Sequence, residues 1–191
     1  METLKSQMNS ESLYKLPGPL LDTLLASSTE ITVKPRHPLI DYGRMDDNVY
    51  ILKEGIVRYS WFDGTNERTY GFAMPGTMMI SYHCYYMRRP SFFRLEACRR
   101  EMVALRLSKK DLDALIDAHP EVAKWMLNLS LGQLHINEVK MSVINGTARE
   151  RFEAMIKNRP DIMSEVSMRA IASYLGVTPA YLSRLKKGLS A

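Results

Sequence analysis

The hydrophobic period of this chain changes at Leu107 from about two residues to about three and a half. A chain with that break must build a β unit first and a helical unit second, which sets its class as α+β. Before the break, β-branched and aromatic runs fall at 31–33, 39–42, 49–52, 56–62, 70–74, 78–81, 92–97 and 102–107. Turn residues separate them: Asp63-Gly64 suits a hairpin, and Gly43, Gly55 and Pro75-Gly76 interrupt other runs. Many short strands at this spacing predict a compact sandwich or roll. Residues 13–25 read as a short, proline-interrupted helical lead-in.

After the break, Ser108 and Asp111 form a capping signature, with Leu112, Leu115 and Ile116 following on one helical face. Pro120 then opens a longer helix. In it Val122, Trp125, Leu129, Gly132, Ile136, Val139 and Val143 recur at steps of three and four, the spacing of a coiled-coil seam. That spacing predicts a homodimer interface; a buried core helix within a monomer would carry the same pattern. A second stripe, Leu127, Leu131, Leu134 and Met141, is expected to dock on the β unit. Asn145-Gly146 ends the helix, and Thr147 through Glu150 caps the next one, which turns Phe152, Met155 and Ile156 inward. The expected organisation is a β unit at 1–119, a dimerisation helix at 120–145 and a C-terminal helical domain at 146–191.

The most specific passage is MRAIASYLGVTPAYLSRLKK at 168–187. A helix-turn-helix needs a small residue where its helices touch, a glycine at the turn for positive φ, and apolar residues that lock the pair. Ala172 and Gly176 meet the first two needs, and Ile171, Leu175, Val177, Leu182 and Leu185 meet the third. Thr178 is a good N-cap with Pro179 at the first helical position, so the second helix should run to about Gly188. The residues expected to meet DNA are Arg169, Thr178, Tyr181, Ser183, Arg184, Lys186 and Lys187. A helical hairpin serving only protein contacts is the competing reading.

Charge agrees with a polyanionic partner. Residues 148–191 hold eight Lys and Arg against four acids, so this segment carries +4 of the net +5. The opening stretch is polar, without the apolar core of a secretory signal or a membrane span, which places the chain in the cytoplasm. Cys84 and Cys98 read as reduced thiols there. No cofactor or metal is expected, because His37, His83, His119 and His135 are scattered without ligand spacing. No nucleophile elbow, Walker loop or dinucleotide fingerprint is present, so the chain is not expected to be an enzyme.

Roll, long helix and helix-turn-helix in this order resemble the Crp/Fnr superfamily of transcriptional regulators, relatives of the cyclic-AMP receptor protein. The similarity covers nearly the whole chain, through DNVYILKEGIVRYSWFDGTNERTYGFAMPGTM, TARERFEAMIKNRPDI and IASYLGVTPAYLSRLKK, the last two being similar to a divergent branch. It implies a double-stranded β-helix (jelly roll) of cyclic-nucleotide-binding type, a homodimer on an inverted repeat of double-stranded DNA, RNA polymerase as a partner and no membrane. Cyclic-nucleotide-binding members carry a Gly-Glu pair for the ribose and an arginine for the phosphate. In this chain Gly76 is followed by Thr77, and alignment on Ala97 puts Ser91 at the arginine. Gly76, Thr77, Tyr82, Arg88, Arg89 and Ser91 are therefore the expected pocket for an unidentified effector. Tyr82, Tyr85, Tyr86, Phe92 and Phe93 line an apolar pocket or fill core. Arg184 matches a base-contacting arginine of the family, whereas Pro179 and Ala180 occupy positions that often read bases, and the β-wing usual in the family is not expected. The alternative function is a small-molecule-binding or protein-interaction module that has lost DNA binding.

Overall fold

The computed structural model describes residues 2–144 and 146–189, and the side chains of all of these but 2, 140–144 and 189. Two short helices, α1 (Glu2–Ser10) and α2 (Gly18–Ala26), precede β1 (Thr29–Val33), β2 (Pro38–Ile40), β3 (Val49–Glu54), β4 (Val57–Phe62), β5 (Glu67–Ala73) and β6 (Met78–Ile80). One turn of helix, α3 (Tyr82–Tyr85), leads to β7 (Phe93–Ala97) and β8 (Met102–Leu107). The helical half follows as α4 (Lys109–Ala118), α5 (Pro120–Ile144), α6 (Ala148–Asn158), α7 (Ile162–Glu165), α8 (Met168–Leu175) and α9 (Pro179–Leu189).

All eight expected strands form, in two antiparallel four-stranded sheets ordered β1-β8-β3-β6 and β2-β7-β4-β5. The sheets face each other over Tyr50, Leu52, Met79, Met102 and Ala104 from one and Val57, Ala73, Leu95 and Ala97 from the other. The first sheet is covered on its second face as well, where Val49, Ile51, Leu105 and Leu107 meet α1, α2, α4 and α5. A strand with two buried faces needs an unbroken apolar run, and Val49 through Leu52 are all buried.

The lead-in differs from expectation. Leu13 is 96% exposed and lies between two helices, and the first helix occupies the polar opening segment. Among the described side chains of α1, only Leu4 and Met8, one turn apart, are buried. That pair is too sparse to register as a period.

In α5 the first half of the expected seam faces the chain's own core. Val122 and Trp125 are each 1% exposed inside the chain's own core, and Leu129 packs against the same cluster. Gly132 does admit a close backbone, but that of Glu11, whose carbonyl would lie 3.3 Å from an added Cβ. The residues expected to dock on the roll, Leu127, Leu131 and Leu134, are instead 57%, 53% and 60% exposed. Ile136 and Val139 are on the inward stripe but remain half open. The Met141 and Val143 side chains lie outside the described residues.

Candidate nucleic-acid interface

The C-terminal motif folds as its residues dictate. Ser167 caps α8 by accepting from the Ala170 N–H, a cap outside the motif as first read. Helix α8 ends at Gly176, whose φ of +68° is the left-handed conformation that glycine adopts without penalty. There Val177 N–H reaches back to Ala172 O at 2.9 Å. Thr178 Oγ1 then accepts from Tyr181 N–H at 3.2 Å and starts α9, with Pro179 as its first residue. Ile171, Ala172, Leu175 and Leu182 are buried where the helices touch, joined by Phe152, Met155, Ile162 and Val166. Arg151 fastens α6 to the motif by donating to Gly146 O at 2.6 Å and to Leu175 O at 3.0 Å.

This packing turns one face of α9 outward. Tyr181, Ser183, Arg184, Lys186 and Lys187 are all exposed, as are Arg169 and Thr178. The Arg184 guanidinium lies 5.8 Å from the centre of the Tyr181 ring one turn earlier, which restrains the arginine by a cation–π contact. No acidic residue occurs in α9.

The motif is seated on the roll. Ile56, Phe72, Met74 and Cys98 of the β unit share a cluster with α6, α8 and α9. Thr69 N–H donates to Ser173 Oγ at 2.9 Å, and the Phe72 and Tyr174 rings meet at 5.5 Å. On the same outer face Arg58 donates to Glu67 and to Glu96, and Glu67 also accepts from Tyr42 and Ser60. Burial alone would raise Glu67, but these bonds and the Arg58 charge outweigh it and hold its carboxyl below the usual range.

The six expected pocket residues have different neighbours. Gly76 and Thr77 lie in the turn before β6, against α1: a Cβ on Gly76 would sit 2.5 Å from Gln7 Cβ, and Thr77 donates to Glu11 at 2.7 Å. Ser91 is buried and hydrogen-bonded to Ser81, the residue that caps α3. Tyr82 is exposed, as are Arg88 and Arg89, and Arg88 pairs with Asp47. Arg94 is held on the outer face of the roll by Asp41 at 2.8 Å. Among the aromatic residues, Phe92 and Phe93 contact each other at 4.4 Å and Phe93 meets Tyr70 at 5.4 Å, whereas Tyr86 is 81% exposed.

No protein-family model and no curated sequence matches the chain. Solved structures do. FixK2 from Bradyrhizobium japonicum superposes with a TM-score of 0.73 at 19% identity, over 85% of this chain and 84% of that one. CLP from Xanthomonas campestris, described as a c-di-GMP responsive global regulator, gives 0.71 at 17%, over 91% and 92%. The catabolite activator protein of Thermus thermophilus gives 0.59 at 20%, over 92% and 84%. The fold is that of the Crp/Fnr regulators, with a cyclic-nucleotide-binding-like roll followed by a C-terminal helix-turn-helix. No helix among the described residues is long and apolar enough to cross a membrane.

Proposed function

We propose that this protein is a DNA-binding transcriptional regulator, not an enzyme, acting as a homodimer on an inverted-repeat site. The observation that carries the reading is the outward face of α9, where Arg184, Lys186 and Lys187 stand exposed on a helix without acids. Such a helix fits the major groove, its first half toward base edges and its basic end toward phosphate. Arg184 is then the residue placed for a bidentate contact to guanine, with Tyr181 and Ser183 beside it. Lys186, Lys187, Arg169 and the Thr178 cap serve the backbone. Neighbours described as an activator and a global regulator support the same reading.

The dimer is built on the stripe that the fold leaves open. Leu127, Leu131 and Leu134 lie on one side of α5, and a contiguous apolar stripe in water is costly unless a partner covers it. A second copy supplies the same stripe by two-fold symmetry. In this reading 120–145 joins the copies, 146–191 binds DNA, and the roll carries any effector site. RNA polymerase is the further partner that a regulator of this kind engages.

The experiment is a fluorescence-anisotropy titration of the full chain with pools of random duplex at increasing salt. Binding whose logarithm falls linearly with that of salt is expected, followed by enrichment of a two-fold symmetric sequence on repeated selection. No binding to duplex at low salt would leave the module that has lost DNA binding.

A further inference from the structure

We infer that the edge strand β5, with Ile56, docks the helix-turn-helix onto its own roll and thereby sets the direction in which α9 is presented. Its consequence for DNA rests on the reading above. Strand β5 ends its sheet, so its outward N–H groups have no strand partner, and an uncovered edge of that kind is a liability. Helix α8 covers it. Ser173 accepts the Thr69 N–H, and the Tyr174 ring lies against Phe72. Ile56 is 7% exposed because it sits in the motif's own cluster and not in the core between the sheets.

The contact extends past β5. Arg99 donates to Ser164 O at 2.8 Å, and Arg100 pairs with Glu165 at 3.4 Å, so α7 is tied to the roll as well. Behind the strand Arg58 is bound to carboxylates on both of its neighbours, Glu67 of β5 and Glu96 of β7, which stiffens the surface that α8 rests on. Domains joined by a small polar contact move by default, and an apolar shared cluster removes that freedom. The helix that docks is α8. Helix α9, the exposed one, stays free for DNA.

Ile56, Thr69 and Phe72 are therefore positioning residues: none lies on the exposed face of α9, yet all act on where it points. In a two-fold dimer the two copies of α9 must reach half-sites about one DNA turn apart. A loosened seat should blur that spacing and leave the base preference of each half-site intact.

Cys98 reports the seat directly. It packs against the shared cluster, and burial pushes its thiol up to about 12, so alkylation should be slow while the motif is docked. Cys84 is fully buried elsewhere in the roll and serves as the control.

The test uses the full chain, treated with iodoacetamide and mapped by peptide mass spectrometry, and the variants Phe72→Ala and Tyr174→Ala. Both are expected to raise the Cys98 rate at least about tenfold while Cys84 stays protected. Reaction of Cys84 in Phe72→Ala would mark a damaged roll, and Tyr174→Ala, on the other side of the seam, then decides. A wild-type Cys98 as reactive as a free thiol, or variants with an unchanged rate, would overturn the docking. On duplexes whose half-sites are moved by one or two base pairs, the variants should accept spacings that the wild type rejects. Unchanged spacing selectivity would overturn the positioning role. Protected Cys98 in a protein that binds no duplex would remove the DNA reading and its positioning role together, leaving the docked fold.

Discussion

One residue of the turn, Gly176, bears most on whether the motif forms. Gly176 has open space around its Cα, so a side chain there meets nothing and the cost of Gly176→Ala is conformational alone. An L-residue held at positive φ costs about 1–2 kcal/mol, and thermal unfolding of Gly176→Ala should show that loss. The proposed recognition of DNA involves other residues. Arg184→Ala should remove about 1–3 kcal/mol of discrimination at one base pair in each half-site. Lys187→Ala should weaken all sequences alike and reduce the salt slope by about 1. Selection of bound sequences by each variant separates the two effects. Pro179 offers no N–H and Ala180 no polar side chain, so the specificity ratio should be lower than in proteins with polar residues at those positions.

At the scale of elements, the strands and the helix-turn-helix were legible because each is written in local pattern. Short β-branched and aromatic runs bounded by glycine identify β3 and β4, and a small residue, a glycine and a capped proline at fixed offsets identify α8 and α9. Helix α5 was harder. Its two apolar stripes lie on opposite sides, and spacing alone does not say which meets the roll. Only the packing of Val122 and Trp125 does. The correction changes the test of the dimer. Leu131→Glu should place charges in the interface and yield a monomer by sedimentation while the fold survives, because its parent is exposed. Leu129→Glu should instead lower the melting temperature, since Leu129 packs on the chain's own core. A Leu131→Glu protein that stays dimeric would contradict this assignment.

In the whole molecule, the features that escaped the sequence are those made by distant residues. Thr69 and Ser173 are 104 positions apart, and nothing in either neighbourhood announces the other. Gly76 and Ser91 look like one pocket along the chain, yet α1 covers the first while Ser81 engages the second. With Arg88 and Arg94 paired to aspartates, the phosphate of cyclic AMP would meet neither. With Thr77 in place of the ribose glutamate and Ser91 in place of the phosphate arginine, two lost charge-assisted contacts of about 1.5–3 kcal/mol each weaken affinity by roughly two to four powers of ten. Calorimetry should therefore show no micromolar binding of cyclic AMP.

Stability should fall in acid. Burial pushes the carboxyls of Asp41, Glu67 and Asp113 up, but pairing with Arg94, Arg58 and Lys109 pulls each below its ordinary value. Each therefore binds its proton more weakly in the fold than in the unfolded chain. The stabilisation is complete above the ordinary carboxylate range and is lost as pH drops through the lowered folded values. Urea midpoints measured from pH 7 downward should show this decline, whereas a midpoint unchanged to pH 3 would contradict it.

The central claim is that two copies of α9 read one duplex symmetrically. Hydroxyl-radical footprinting on the duplex enriched from a random pool tests it most directly. The account predicts two protected half-sites related by a two-fold axis, with centres one turn of DNA apart, about 34 Å. A single asymmetric footprint, or uniform protection without a preferred sequence, would contradict it.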